Sequence, residues 1–171
     1  MTIRRFGVIA IVLATSVAVG STACAARQEP PTPRPSDPTA PRQLRTPVSL
    51  HVVARVDEAA CIAGAGGLPG PGAGGDWCYF VDPGFDVTRA EAVEFGADSI
   101  GIHAVEITLA PADRAAFAAW TARSAGHQIA VNVQDRVVSA PELAEPLSGE
   151  WLTIPVDTEA AAQELSRRLW E

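Results

Sequence analysis

Apolar and polar positions change their spacing several times along the chain, and each change marks an element. Phe6 to Val19 is an unbroken run of 14 apolar or small residues, short of the ~20 that a membrane-spanning helix needs. From Val48 to Val56 (Val-Ser-Leu-His-Val-Val-Ala-Arg-Val) β-branched residues with partial alternation predict a strand, closed by Asp57-Glu58. Trp77 to Val81 predicts a second, ended by Asp82-Pro83-Gly84. Val105, Ile107 and Leu109 alternate with Glu106 and Thr108, the period of a half-buried strand. Pro111 then suits the first turn of a helix, with Asp113 favourable at its positive end. That helix runs to about Ser124, carries Phe117 and Trp120 on one face, and is stopped by Gly126. Gln128 to Val133 predicts the next strand; Gln134-Asp135-Arg136 turns the chain and Val137 to Ala140 returns. Trp151 to Ile154 is a last strand, and Thr158 can cap a final helix with Ala161, Leu165 and Leu169 on one side.

Strands, helix, hairpin, strand, helix is the order of an α+β fold: one largely antiparallel sheet with two helices packed on one face. The predicted elements confine the folded domain to residues 48–171. Residues 1–23 read as a signal peptide, with Arg4 and Arg5 before the apolar run and Gly20, Ser21, Thr22 and Ala23 after it. Residues 24–47 read as a disordered tether. Seven prolines fall between Pro30 and Pro47 among Thr, Ser, Arg and Gln, too few apolar side chains to repay ordering. A second low-complexity stretch, Ile62 to Gly75, has seven glycines in fourteen residues and reads as a mobile loop. Gly70, Gly72 and Gly75 satisfy the dinucleotide fingerprint by spacing, but Pro71 interrupts it and a strand follows where a helix is required.

Ser21-Thr22-Ala23-Cys24 resembles the lipobox of bacterial lipoproteins, with Ser21 where that family favours leucine. The resemblance implies cleavage before Cys24 and a lipid on its thiol, placing the protein outside the cell on the membrane's outer face. The plain alternative is an ordinary signal peptide cut at Ala23 or Ala25. Cysteine arithmetic favours the lipid. There are three cysteines, and an odd one would be a free thiol in an oxidising compartment. With Cys24 acylated, Cys61 and Cys78 remain as an expected disulfide, worth ~3 kcal/mol for a loop of that length.

Charge narrows the partners. The segment Ala25–Pro47 carries four arginines against two acids, whereas Val48–Glu171 carries seven against eighteen, a net −11. So acidic a domain is a poor partner for nucleic acid, whose binding rests on neutralising phosphates. The histidines His51, His103 and His127 stand apart, without the spacing of a zinc site. Ser139 lacks the glycines of a nucleophile elbow. Glu91, Glu94, Asp98 and Glu106 could gather as a metal or acid–base site, but a solvated acidic face is the favoured reading of them. No catalytic constellation, metal site or cofactor is expected.

Ala115 to Leu169 resembles the head subdomain of the first extracytoplasmic domain of the SecD/SecF protein-export proteins. The stretches that carry the resemblance are Phe117-Ala118-Ala119-Trp120-Thr121, Gly126-His127-Gln128-Ile129-Ala130-Val131 and Val137-Val138-Ser139-Ala140-Pro141. Two departures fall on turns: Gln134-Asp135 replaces the family's Asp-Gly hairpin tip, and Pro155 follows Ile154 where the family tends to glycine. The resemblance implies a non-catalytic binding or accessory module that contacts unfolded exported polypeptide or Sec components. With a single short apolar run, the chain has no place for the intramembrane proton carriers of a pump. A different class remains open: an envelope structural or sensory lipoprotein that binds a small ligand or a cell-wall component on the same fold.

Overall fold

A computed structural model of the chain describes residues 40–97, 101–147 and 149–170. The expected signal peptide, Cys24 and the tether as far as residue 39 lie outside the described residues. Nine strands and two helices occur among those described: β1 (Arg42–Asp57), β2 (Leu68–Gly72), β3 (Gly75–Val81), β4 (Phe85–Ala97), β5 (His103–Leu109), α1 (Pro111–Ser124), β6 (His127–Val133), β7 (Arg136–Ser139), β8 (Glu142–Leu143), β9 (Trp151–Val156) and α2 (Glu159–Trp170). Every strand pair is antiparallel. The fold is α+β, a curled antiparallel sheet with two helices.

The long strand β1 is its axis. β4 pairs with Arg42–Leu50 and β3 with Val53–Asp57, while β6 pairs with Ser49–Val52. β5 and then β9 extend the sheet beyond β4, and β7 extends it beyond β6. Register puts Leu50 beside both Val131 and Phe85, and Ile107 beside both Val93 and Leu152. These side chains share one face, and both helices cover it. In α1, Phe117, Trp120, Thr121 and Ser124 are buried at the i, i+3, i+4, i+7 spacing of one helix face. Phe85 meets Phe117 at a ring-centroid distance of 5.7 Å and Trp120 at 6.3 Å. From α2, Ala162, Leu165 and Leu169 enter the same core. Ala162 takes the inward position expected of Ala161, which is exposed.

A smaller core lies at the far end of β1, where Tyr79, Ala130 and Val137 pack with Val53, Leu68 and Trp77. It depends on a strand where a mobile loop is expected. Residues Leu68–Gly72 of the glycine-rich stretch pair along β3 as β2, and the disulfide Cys61–Cys78, with Cα atoms 4.8 Å apart, fastens the start of that stretch to β3. Gly70 serves close packing there: an added Cβ would stand 2.6 Å from Val137 Cβ.

Two further corrections concern strands. β1 begins at Arg42, so the last six residues assigned to the tether belong to a strand: Arg42 and Gln43 pair with Ala90 and Arg89 of β4, an irregularity follows before Val48, and Leu44 is buried. β4 itself is absent from the sequence reading. Its pairing shifts by one residue between Ala90 and Ala92, and this bulge breaks the alternation that would have announced it. The hairpin tip keeps its expected place. Gln134 and Asp135 have φ of 53° and 59°, the left-handed pair of a type I′ turn made without glycine.

Candidate functional site

The β6–β7 hairpin and β9 both end the sheet, one at each side. Within it β7 pairs with β6 and β9 with β5, and each leaves its other edge without a strand partner among the described residues. The curl of the sheet brings these edges toward each other across a cleft of about 320 Å³. Val138, Ser139 and Ala140 form one wall, Pro155 and Val156 the other, and Pro71 of β2 reaches into it. An adjoining hollow of about 280 Å³ shares Pro71, Val138 and Val156 and extends the cleft to Leu165 of α2.

Each wall follows from local chemistry. Pro155 lacks an N–H, which a strand tolerates only at an edge or bulge, and it sits opposite Ala104 in an outer strand. Pro141 ends β7's return, and its carbonyl accepts a bond of 2.8 Å from the N–H of Ile129. Tyr79 holds Pro71 in place: its hydroxyl donates to the Pro71 carbonyl at 2.6 Å, and burial raises the phenol pKa. In the adjoining hollow, Arg136 forms a bidentate pair with Asp76, with N–H···O distances of 2.9 and 2.5 Å. These bonds lower the Asp76 pKa and raise that of Arg136. The cleft is thus lined by the short side chains of Pro71, Val138, Ala140, Pro155 and Val156 together with polar Ser139 and Asp157, between two edges that no strand pairs among the described residues.

The expected chemical candidates are dispersed. Glu91 pairs with Arg114 at 2.8 Å, and Arg114 also bonds Glu150 at 2.5 Å, both beside the start of α1. Glu94 and Glu106 are register partners across β4 and β5 and both exposed, a repulsive pair that solvent screens. Asp98 lies outside the described residues. His51 Nδ1 is 2.8 Å from the Asp82 carbonyl and His127 Nδ1 3.3 Å from that of Ala125. His103 Nδ1 is buried without a partner among the described residues. Nor do those residues contain a group of three His, Cys, Asp or Glu able to hold a metal. Ser139 is nearly buried in β7 opposite Val131.

Sequence reasoning marked one wall, through Val137-Val138-Ser139-Ala140-Pro141, and missed the other. Pro155 was conspicuous only as a departure from a pattern. Pro71 and Tyr79 belong to β2 and β3, whose pairing the glycine run concealed. No long apolar helix able to cross a membrane occurs among the described residues.

Comparison with known proteins places this architecture. The family model described as SecDF, P1 head subdomain, matches residues 83–170. A solved structure of a membrane component SecDF that enhances protein export aligns with a TM-score of 0.51 at 18% identity, covering 74% of this chain and 63% of that one. A crystal structure of SecDF in the super-membrane-facing form aligns with a TM-score of 0.50 at 16% identity, covering 74% of this chain and 19% of the other. The chain therefore spans less than two thirds of the length of these SecDF chains. No curated protein matches it. By a match that runs from the β3–β4 connection to the end of α2, the chain belongs to the SecDF P1 head subdomain family.

Proposed function

We propose that this protein is a non-catalytic accessory module of protein export, lipid-anchored through Cys24 on the outer face of the cell membrane. In this reading residues 1–23 are removed as a signal peptide. The chain from Cys24 to the start of β1 tethers the head, and the head contacts unfolded exported polypeptide or Sec components. The observation that carries the reading is the cleft between β7 and β9. A polypeptide that has not folded offers unpaired N–H and C=O groups and small apolar side chains, and an unpaired strand edge satisfies the first while a shallow apolar wall accepts the second. An extended segment laid along the cleft would bond one edge and set alternate side chains against Val138, Val156 and Pro71. Such recognition reads backbone more than sequence, as a module serving many exported chains requires.

In-cell photocrosslinking tests it. A photoreactive residue at Val138 or Val156 should capture exported chains or Sec components, and one at exposed Glu106, on β5 outside the cleft, should not. A reproducible set of unrelated partners, or equal capture from all three positions, would sink the proposal.

A further inference from the structure

In a domain with a large excess of acids, arginines collect at one place. Arg45, Thr46, Gln134, Glu164, Arg167 and Arg168 surround an open hollow of about 490 Å³ where the first part of β1, the β6–β7 tip and the end of α2 meet. A fourth arginine links the same two elements, β1 and the end of α2: the Arg42 guanidinium carbon lies 4.0 Å from the centre of the Trp170 ring. Internal roles account for part of the cluster. Arg167 and Arg168 occupy the last turn of α2, where they favour the helix dipole. Arg167 pairs with Glu164, and Arg168 donates to the Gln134 side-chain carbonyl. Arg42 gains from its stacking on Trp170. Arg45 has no such account. It is exposed, and no ion pair to it occurs among the described residues. Among the described residues that line the hollow, Glu164 is the one acid beside three arginines, so positive charge predominates there.

We infer that this arginine hollow docks the head on the anionic phospholipid headgroups of the membrane to which Cys24 ties it, an inference that rests on the lipid-anchored reading above. Two observations select this occupant. The hollow lies at the start of β1, the point at which a chain leading from Cys24 reaches the described domain. Other basic residues, Arg27 and Arg34, precede it in sequence. A long nucleic acid would run from the hollow onto acidic surface, whereas a bilayer approached from this end meets the arginines first. Anchoring also raises the local concentration of lipid, so a few modest charge contacts suffice.

The test uses the mature full-length chain reconstituted in phosphatidylcholine vesicles with or without phosphatidylglycerol. The phosphatidylglycerol carries a photoreactive group near its headgroup. Labelling of the head should concentrate in peptides spanning residues 42–46 and 164–170. It should require the anionic lipid and fade as salt shortens the screening length. Arg45→Gln and Arg168→Gln should each lower it about fivefold; Arg45→Gln removes no internal bond, so its loss cannot be ascribed to misfolding. Labelling spread evenly over the head, or unchanged by both substitutions, would overturn the inference. Suppression of the labelling by inorganic phosphate at constant ionic strength would also overturn it, in favour of a free-phosphate site. If intact mass shows no lipid on the chain, the anchored reading fails separately. The same arginine dependence is then read on soluble protein added to the vesicles, and its absence there counts against the docking surface.

Discussion

At Gly70 the backbone of β2 runs so close to its neighbours that a Cβ would stand 2.6 Å from Val137 Cβ and 2.8 Å from a Tyr79 ring carbon. Both neighbours belong to the smaller core and are nearly or fully buried, so neither can withdraw into solvent. Gly70→Ala should therefore destabilise the protein by about 1–3 kcal/mol, the usual cost of forcing an extra methyl into packed surroundings. Because β2 also carries Pro71, the same substitution should disturb the cleft. Gly74 supplies the control, since nothing lies within 4 Å of a Cβ there. Gly74→Ala should leave stability within about 0.5 kcal/mol of the parent. Urea midpoints for the two variants decide the matter; equal midpoints would show that β2 does not pack closely on β7.

Among the elements, those with an intact period were legible and those with a broken one were not. α1 could be read from Pro111, Phe117, Trp120 and Gly126, and β5 from Val105, Ile107 and Leu109, because no bulge interrupts either. In β4 the buried positions Val87, Ala90 and Val93 are three apart, a spacing that suggests neither a regular strand nor, with Gly96 and Phe95 following, a helix. β2 was hidden by its composition. Leu-Pro-Gly-Pro-Gly reads as coil until Tyr79 and Val137 are known to require small residues and Cys61 is known to fix the loop's start. The disulfide should accordingly matter most at this end of the sheet. Cys61 and Cys78 are 17 residues apart, and closing a loop of that size is worth ~3 kcal/mol in the chain-entropy model. Replacing both with alanine should lower the unfolding free energy by about that amount. Reduction of the wild-type protein should reproduce the loss, and hydrogen exchange should rise first in β2 and β3. A double variant with undiminished stability would mean that β2 is held by its packing alone.

For the molecule as a whole, the candidate cleft was half legible because its two walls come from opposite ends of the sheet, and only the curl brings them together. The proposed address, by contrast, rests on local sequence and can be tested without reference to the fold. Pairing of Cys61 with Cys78 leaves Cys24 as the odd thiol of three. In an oxidising compartment such a thiol is vulnerable unless it is consumed. Intact-mass measurement of the membrane fraction should therefore show loss of residues 1–23 and an added diacylglyceryl mass on Cys24. Cys24→Ser should move the protein out of that fraction while leaving the urea midpoint of the head unchanged, because residue 24 lies outside the sequence that forms its sheet and core. The diacylglyceryl group brings two acyl chains at once, enough for stable attachment, so partial release on mild detergent-free washing would indicate a fraction of the protein that never received it. An unmodified, freely soluble wild-type chain would refute the anchor, and the head would then have to find its partners by diffusion.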